Sequence, residues 1–289
     1  MNRLELFNQN KSLLFAIAYR MLGSVTDAED VMQEAWIRWQ RSESSVQCPK
    51  AYLSSTVTRL CIDHLRSARV QREYYIGTWL PEPLRTETLA APQNCPELAE
   101  SVSFAFLVLL ECLSPTERAV FLLHEVFDYN YDEIAQTIGK SLSNCRQIVC
   151  RARQHLSLRR PTVSQANYAQ DTLIEQFLTC WNQGDVQGLI ALMAEDVTFW
   201  ADGGGKVVAA QKPLHGCCKV ARFLVAIRRS QLTPNIAPQL GEINGQFGII
   251  NILEQKSHSI FSFYFSGDRI QAIFAVVNPD KLRAFQLQT

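Results

Sequence analysis

The chain has 289 residues with 28 Lys and Arg against 28 Asp and Glu, so its formal charge is zero and the overall balance names no polyanionic partner. That length exceeds one ordinary domain and suits two or three, each with enough apolar content to bury a core. No stretch approaches the roughly 20 apolar residues that span a bilayer, and the start lacks the basic, apolar and small-residue pattern of a secretory leader, so the reading is a cytoplasmic protein without a membrane partner.

The first segment reads as helices. Leu14, Ile17, Ala18 and Met21 recur at helical spacing until Gly23-Ser24 breaks the run, and Thr26 with Glu29 then reads as a capping box for a second helix. Ala28, Val31, Met32, Ala35, Trp36 and Trp39 form its apolar stripe, with Asp27, Asp30, Glu34 and Arg38 opposite. A third long helix is predicted from about Lys50 to Glu73, carrying Arg59, Arg66, Arg69 and Arg72. From Trp79 to Pro96 four prolines and few periodic apolar positions mark a linker. A second helical unit follows from about Glu97. Ser114-Pro115-Thr116-Glu117 starts one of its helices with a cap, a first-turn proline and a capping box. A helix over Tyr131 to Ile138, a turn at Gly139 and a further helix from about Ser141 give the pattern of a helix-turn-helix. Beyond Arg159-Arg160-Pro161 a helix carries Ile174, Phe177, Leu178 and Trp181 on one face, and a shorter one covers Leu189, Leu192 and Met193. From Val197 the pattern is strand-like, with one helix around Cys217 to Arg228 and turns at Asn244-Gly245 and Ser266-Gly267-Asp268, which together indicate an α+β domain.

Charge is informative locally. Between Lys140 and Arg160 every charged residue is basic, whereas Asp27 to Glu34 is wholly acidic. Reading the major groove needs a helix that exposes Arg for guanine, Asn or Gln for adenine, and further Arg for phosphates. Ser143, Asn144, Arg146, Gln147, Arg151 and Arg153 supply that set; a basic solvated helix is the alternative. Arg59, Arg66, Arg69 and Arg72, followed by Tyr74, Tyr75 and Trp79, suit a separated strand whose bases stack on aromatics, although a charged helix surface explains them equally well. The acidic face of the second helix is by itself an ordinary solvated face. Nine cysteines lie scattered without a CxxC pair, which fits reduced packing thiols and no metal; Cys217-Cys218 as a redox or metal pair is the alternative to apolar filler.

Three groups of residues carry a family resemblance. Ala18-Tyr19-Arg20-Met21-Leu22-Gly23-Ser24 and Asp27 to Trp36 resemble region two of extracytoplasmic-function RNA polymerase sigma factors. Leu113 to Leu123 and Tyr131 to Ala135 resemble their region four. Trp79-Leu80-Pro81-Glu82-Pro83, Asp202-Gly203-Gly204-Gly205-Lys206 and Asn278-Pro279-Asp280-Lys281-Leu282 resemble motifs of the group with a SnoaL-like extension. The resemblance implies a multidomain fold: two all-α sigma domains, the second with the helix-turn-helix, and a C-terminal α+β SnoaL-like cone. The boundaries are 1–75, a linker over 76–96, 97–160 and 167–289. It further implies that Asp30, Gln33, Glu34 and Arg38 dock on core RNA polymerase, and that Arg59, Asp63, Arg66 and Arg69, with the loop before Pro49, trap the opened minus-ten strand. Ser143, Asn144, Arg146, Gln147, Arg151 and Arg153 would contact the minus-thirty-five duplex of promoter DNA. Trp79, Pro81, Asp202, Gly203, Gly204, Gly205, Lys206, Asn278, Pro279, Asp280 and Lys281 would form one regulatory contact set.

That function is binding, so no cofactor and no catalytic residue are expected, and the free chain is expected to be a monomer. A SnoaL-like cone encloses a pocket, which leaves an unidentified small ligand as a further partner. Two competitors remain open: a helix-turn-helix regulator with a ligand-sensing C-terminal domain, and an isomerase or hydrolase fused to a DNA-binding module, for which Asp202, His215 and His258 are the titratable candidates. Gly203-Gly204-Gly205-Lys206 lacks the spacing of a phosphate-binding loop and reads as a tight turn presenting Lys206.

Overall fold

In a computed structural model the described residues are 2–42, 46–72, 75–85, 103–157, 167–230 and 236–285. They fall into two units, with residues 2–42, 46–72 and 106–157 in the first, and 75–85, 103–105, 167–230 and 236–285 in the second.

The first unit is helical: α1 (Arg3–Leu22), α2 (Val25–Arg41), α3 (Pro49–Arg72), α4 (Phe104–Leu110, whose first two residues count with the second unit), α5 (Pro115–Glu125), α6 (Tyr131–Ile138) and α7 (Leu142–Ser157). α1 ends where Gly23 takes φ 66°, a left-handed turn that its missing Cβ permits. The cap of α2 is Ser24, not Thr26: Ser24 is extended and its Oγ accepts the Asp27 N–H, so the helix starts two residues before the Thr26–Glu29 box and takes both into its first turns. The α2 stripe is as read, with Ala28, Val31, Met32, Ala35 and Trp39 buried and Trp36 half-buried. α5 has the full box at Ser114 and Glu117, with Pro115 in the first turn.

The second unit holds α8 (Asn167–Gln183), α9 (Val186–Leu192), β1 (Met193–Asp202), β2 (Leu214–His215), α10 (Cys217–Arg229), β3 (Ala237–Ile243), β4 (Gln246–Leu253), β5 (Lys256–Ser266), β6 (Arg269–Val276) and a 3₁₀ turn over Pro279–Phe285. β1 begins at Met193, earlier than the alternation suggests, because Met193 pairs with Ile270 across an irregular stretch of ladder. A hairpin that the turn residues did not announce joins β4 to β5 through Glu254 and Gln255, both at positive φ. The sheet order is β2-β1-β6-β5-β4-β3, antiparallel except for the β1–β6 pair.

Alternation along the strands assigns the two faces of the sheet. Phe199, Ala201, Ile249, Phe261, Phe263, Ile273 and Ala275 share one face and pack with Ile174, Phe177 and Trp181 of α8 and Leu224 of α10 in a single buried cluster. The Phe177 and Phe263 rings meet edge to face at 5.0 Å, and Trp181 Nε1 donates to the Leu224 carbonyl at 2.9 Å, so the interior is filled and its polar atom satisfied. Truncating Phe177 to Ala costs about 3–5 kcal/mol through the void it leaves.

The other face carries Asp202, Ile250, Ile260, Phe274 and Val276. The proline-rich stretch read as a linker contributes to it: Leu80 and Leu84 are buried, the Leu84 carbonyl accepts the Asn244 N–H at 2.9 Å, and Asn244 Oδ1 accepts the Leu84 N–H at 3.0 Å. Arg85 then bridges to Ile243 at the outer edge of β3. Phe104 adds its ring against Phe274, centroids 5.7 Å apart. Residues 75–85 therefore belong to the packed second unit, because leucines at 80 and 84 find an apolar sheet face that a free linker lacks.

Candidate functional site

The helix-turn-helix is built by three local devices. Asn130 and Glu133 cap the start of α6 reciprocally at 2.9 Å each way. Gly139, at φ 66°, closes it, and Ser141 Oγ accepts the Asn144 N–H at 3.3 Å to start α7. α7 turns Cys145, Ile148, Val149, Ala152 and Leu156 inward, which leaves Ser143, Arg146, Gln147, Arg151 and Arg153 exposed and Asn144 half-exposed. The exposed arginines differ in what they do. Arg146 lies over the Tyr131 ring at 5.5 Å. Arg153 donates to Glu125 at 2.7 Å, and that hydrogen bond, with the carboxylate's charge, raises its pKa. Arg153 is thus committed within the fold, whereas Gln147 and Arg151 extend into solvent.

On α3, Asp63 and Arg66 form an exposed pair at 3.4 Å, which is worth little and releases both groups readily. The side chain of Arg69 and the loop at 43–45 lie outside the described residues. Arg59 is not free: its Nε donates to the Thr137 carbonyl at 2.7 Å and its Nη2 to that of Gln136 at 2.9 Å. On α2, Asp30 and Gln33 are exposed, and Glu34 pairs with Arg38 at 2.8 Å on one face. Ile37, 39 % exposed, adds an apolar contact there that charge patterning did not single out.

The second unit gathers three separated sequence motifs around Asp202. This carboxylate is fully buried and accepts from the Tyr75 hydroxyl at 2.5 Å, the Leu80 N–H at 2.9 Å, the Gly204 N–H at 3.0 Å and Lys281 Nζ at 2.7 Å. Lys281 Nζ also donates to the Leu80 carbonyl and lies 4.2 Å from the Trp79 ring centroid and 5.3 Å from that of Tyr75. A lysine so caged is held by charge, hydrogen bonding and two π faces together. Asn278 Nδ2 donates to the Tyr75 hydroxyl at 3.1 Å. Burial, then the hydrogen bond to Asp202, pushes the Tyr75 phenol well above its ordinary pKa, so it stays a donor. The glycines are explained by crowding: a Cβ on Gly204 would meet Asn278 Nδ2 at 2.3 Å, and one on Gly203 the Val207 carbonyl oxygen at 2.6 Å. Lys206 pairs with Asp280, whose carboxyl that hydrogen bond holds below its usual range. Pro81 is buried beside this cluster in sequence, and Pro279 is exposed at the start of the 3₁₀ turn. Tyr75, read from sequence with the strand-stacking aromatics, instead places its hydroxyl on Asp202; its spacing from Trp79 carried no signal of that.

The titratable groups considered for catalysis do not converge on one another. Asp202 is saturated by four donors on the outer sheet face, His215 is exposed beside Thr198 at 3.3 Å, and burial lowers the pKa of half-buried His258. Burial likewise raises the Cys217 thiol, which makes it a poorer nucleophile. Among the described residues no group of three His, Cys, Asp or Glu side chains is arranged to hold a metal, and no helix is long and apolar enough to cross a membrane. A cavity of about 590 Å³ lies at the outer edge of the sheet, lined by Arg85, Gln239, Ile250, Ile252, Ser257 and Phe285 among others.

Residues 6–70 match the Sigma-70 region 2 family and residues 103–156 the Sigma-70, region 4 family. The extracytoplasmic-function (ECF) RNA polymerase sigma factor SigJ of Mycobacterium tuberculosis (strain ATCC 25618 / H37Rv) is 33 % identical over 293 residues, covering 98 % of this chain and 94 % of SigJ. The probable ECF RNA polymerase sigma factor SigI of M. tuberculosis (strain CDC 1551 / Oshkosh) is 28 % identical, covering 95 % and 94 %. The crystal structure of M. tuberculosis SigJ superposes with a TM-score of 0.76 at 29 % identity, over 97 % of this chain and 98 % of that one.

Proposed function

This chain belongs to the extracytoplasmic-function RNA polymerase sigma factors and carries a SnoaL-like C-terminal domain, and from that premise we propose how its surfaces divide the work of promoter-specific initiation. The observation that carries the reading is α7, which buries its apolar stripe and turns Asn144, Arg146, Gln147 and Arg151 outward after a helix and a glycine turn. Gln147 and Asn144 read base edges of the minus-thirty-five duplex, and Ser143, Arg146 and Arg151 hold phosphates or guanine. Arg153 orients α7 through Glu125 and contributes less to DNA. Asp30, Gln33, Glu34 and Arg38, with Ile37, form the surface that docks on core polymerase in the cytoplasm. Arg59, Asp63, Arg66 and Arg69 engage the opened minus-ten strand, where trapping unstacked bases offsets a cost of a few kcal/mol per base.

The cluster around Asp202 ties the segment after α3 to the cone, and in this reading it tunes sigma activity through that segment. The chain acts by binding, not by bond-making. A small ligand, where one is used, finds room at the outer-edge cavity, since the face packed against α8 and α10 is filled with side chains. Arg85, lying over the Phe285 ring at 5.2 Å, suits an anionic group on an apolar body. Run-off transcription with purified core polymerase tests the main reading: the intact chain directs initiation from a cognate promoter only with core enzyme, and Gln147→Ala lowers it. Duplex binding of equal strength without core enzyme would favour a simple helix-turn-helix regulator. The intact chain is the right reagent, because ending it near Arg160 would strip Leu80, Leu84 and Phe104 of their cover.

A further inference from the structure

Two arginines of α7, Arg146 and Arg153, stand about two helical turns, roughly 10 Å, apart on one face. α5 and α6 hold them by different means. Glu125, the last residue of α5, accepts a hydrogen bond from Arg153 Nη2 at 2.7 Å, which spends part of that guanidinium on a carboxylate. Arg146 meets a ring instead: its guanidinium carbon lies 5.5 Å from the Tyr131 centroid, and among the described residues it makes no hydrogen bond and no ion pair. The ring is itself built in. Tyr131 opens α6 behind the Asn130–Glu133 box, and its ring meets that of His124 with centroids 4.3 Å apart and a 34° tilt. His124 is set in turn by the connection between α5 and α6. There Asp128 takes φ 56°, the Tyr129 N–H reaches the Leu123 carbonyl at 2.9 Å, and the Tyr129 carbonyl lies 3.2 Å from His124 Nδ1. Local backbone geometry thus fixes an aromatic pair beneath one arginine of α7, and charge patterning gives no sign of it.

A cation held by a π face keeps its N–H groups, because the ring attracts the charge through its quadrupole and takes up no full hydrogen bond. Arg146 therefore meets DNA with its planar fork unspent and part of its rotamer freedom already lost, two conditions that favour a bidentate contact over a diffuse one. The paired acceptors that match this fork in the major groove are O6 and N7 of guanine. Arg151 has neither a ring nor a hydrogen-bonded partner among the described residues, which suits the sequence-blind contact of a charge with a phosphate.

We propose that Tyr131 is a specificity-determining residue of the helix-turn-helix: it positions Arg146 for one guanine of the minus-thirty-five element and leaves Arg151 to the phosphates. The inference rests on the reading of α7 given above, and it separates two arginines that the reading treats alike. Its test is competition binding by the intact chain with core polymerase. The duplexes start from a sequence that the wild type selects out of a randomised pool, are changed one base pair at a time, and are read at several salt concentrations. Arg146→Ala is expected to erase a guanine preference at one pair, and Tyr131→Leu to cut that same preference about twofold to fivefold, the worth of an exposed cation–π contact. Tyr131→Phe keeps the ring and should keep the preference. A purely structural role for Tyr131 would weaken every duplex alike and leave the ratio between them untouched. Arg151→Ala should keep the guanine preference and flatten the slope of log affinity against log salt by about 0.9, the share of one phosphate, whereas Tyr131→Leu leaves that slope unchanged. Tyr131→Leu with the wild-type ratio at the pair that Arg146 reads overturns the inference. So does a guanine preference that Arg151→Ala removes and Arg146→Ala does not. If the wild type selects no sequence from the pool, the promoter reading of α7 has failed, which is a distinct result.

Discussion

Replacing Asp202 by Ala removes the single acceptor on which Tyr75, Leu80, Gly204 and Lys281 converge. The carboxylate is fully buried and the Lys281 side chain only 12 % exposed, so this is the case in which deleting one partner of an ion pair strands the other, at about 3–5 kcal/mol. Two backbone N–H groups also lose their acceptor, about 1–3 kcal/mol each when nothing replaces it. Against this, Lys281 keeps the Leu80 carbonyl and the Trp79 ring, and water can enter the space left by the carboxylate. About 3 kcal/mol is the balance, which for a unit of this size lowers the melting temperature by roughly 6–12 °C. The same loss should cut hydrogen-exchange protection of the Leu80 amide by about two orders of magnitude, at 1.36 kcal/mol per tenfold. Thermal unfolding followed by tryptophan fluorescence, with exchange mass spectrometry over residues 75–85, measures both. Asp202→Asn, which keeps an acceptor but no charge, should fall about halfway. If Asp202→Ala leaves the midpoint and the Leu80 protection at wild-type values, the segment is held by its leucines and not by the buried carboxylate.

Other expectations follow from the same geometry. Gln147→Ala should cost about 1–3 kcal/mol of minus-thirty-five binding and relax preference at one base pair, read by competition with promoter variants, while Arg153→Ala costs less because Glu125 already engages that guanidinium. Ser114→Ala should destabilise the first unit by about 1 kcal/mol in chemical denaturation, since Ser114 caps α5 reciprocally with Glu117. His258 has its folded-state pKa lowered by burial, so the unfolded chain takes up its proton first. Stability is then fully present above the unfolded value of about 6.5 and is lost as pH falls from there through the lower folded value; His258→Asn should flatten that limb of a stability-against-pH curve. Arg85→Gln should abolish any saturable thermal stabilisation that a series of small carboxylates of increasing chain length confers on the intact chain.

Most of the elements were legible because they are written in short-range chemistry. The α6 helix runs from Tyr131 to Ile138 as read, since Asn130, Glu133 and Gly139 act within a few residues of one another. The exposed face of α7 was equally legible, because burial of Cys145, Ile148, Val149 and Ala152 dictates which side chains turn outward. The cap of α2 was misplaced by two residues because Ser24 and Thr26 offer similar hydroxyls, and the left-handed Gly23 decides between them by where it leaves the chain. The Glu254–Gln255 hairpin was missed because neither residue advertises positive φ.

Periodicity, caps and charge runs thus determined which segments are helix or strand and which α7 side chains face solvent, since those properties depend on neighbours within about one turn. Only the tertiary structure decided that Arg59 spends its donors on the end of α6, that Tyr75 serves Asp202, and that a proline-rich stretch packs as part of a sheet. Each of these joins residues more than 70 positions apart, and a donor's partner is set by which acceptor the folded chain leaves unpaired within about 3 Å of it.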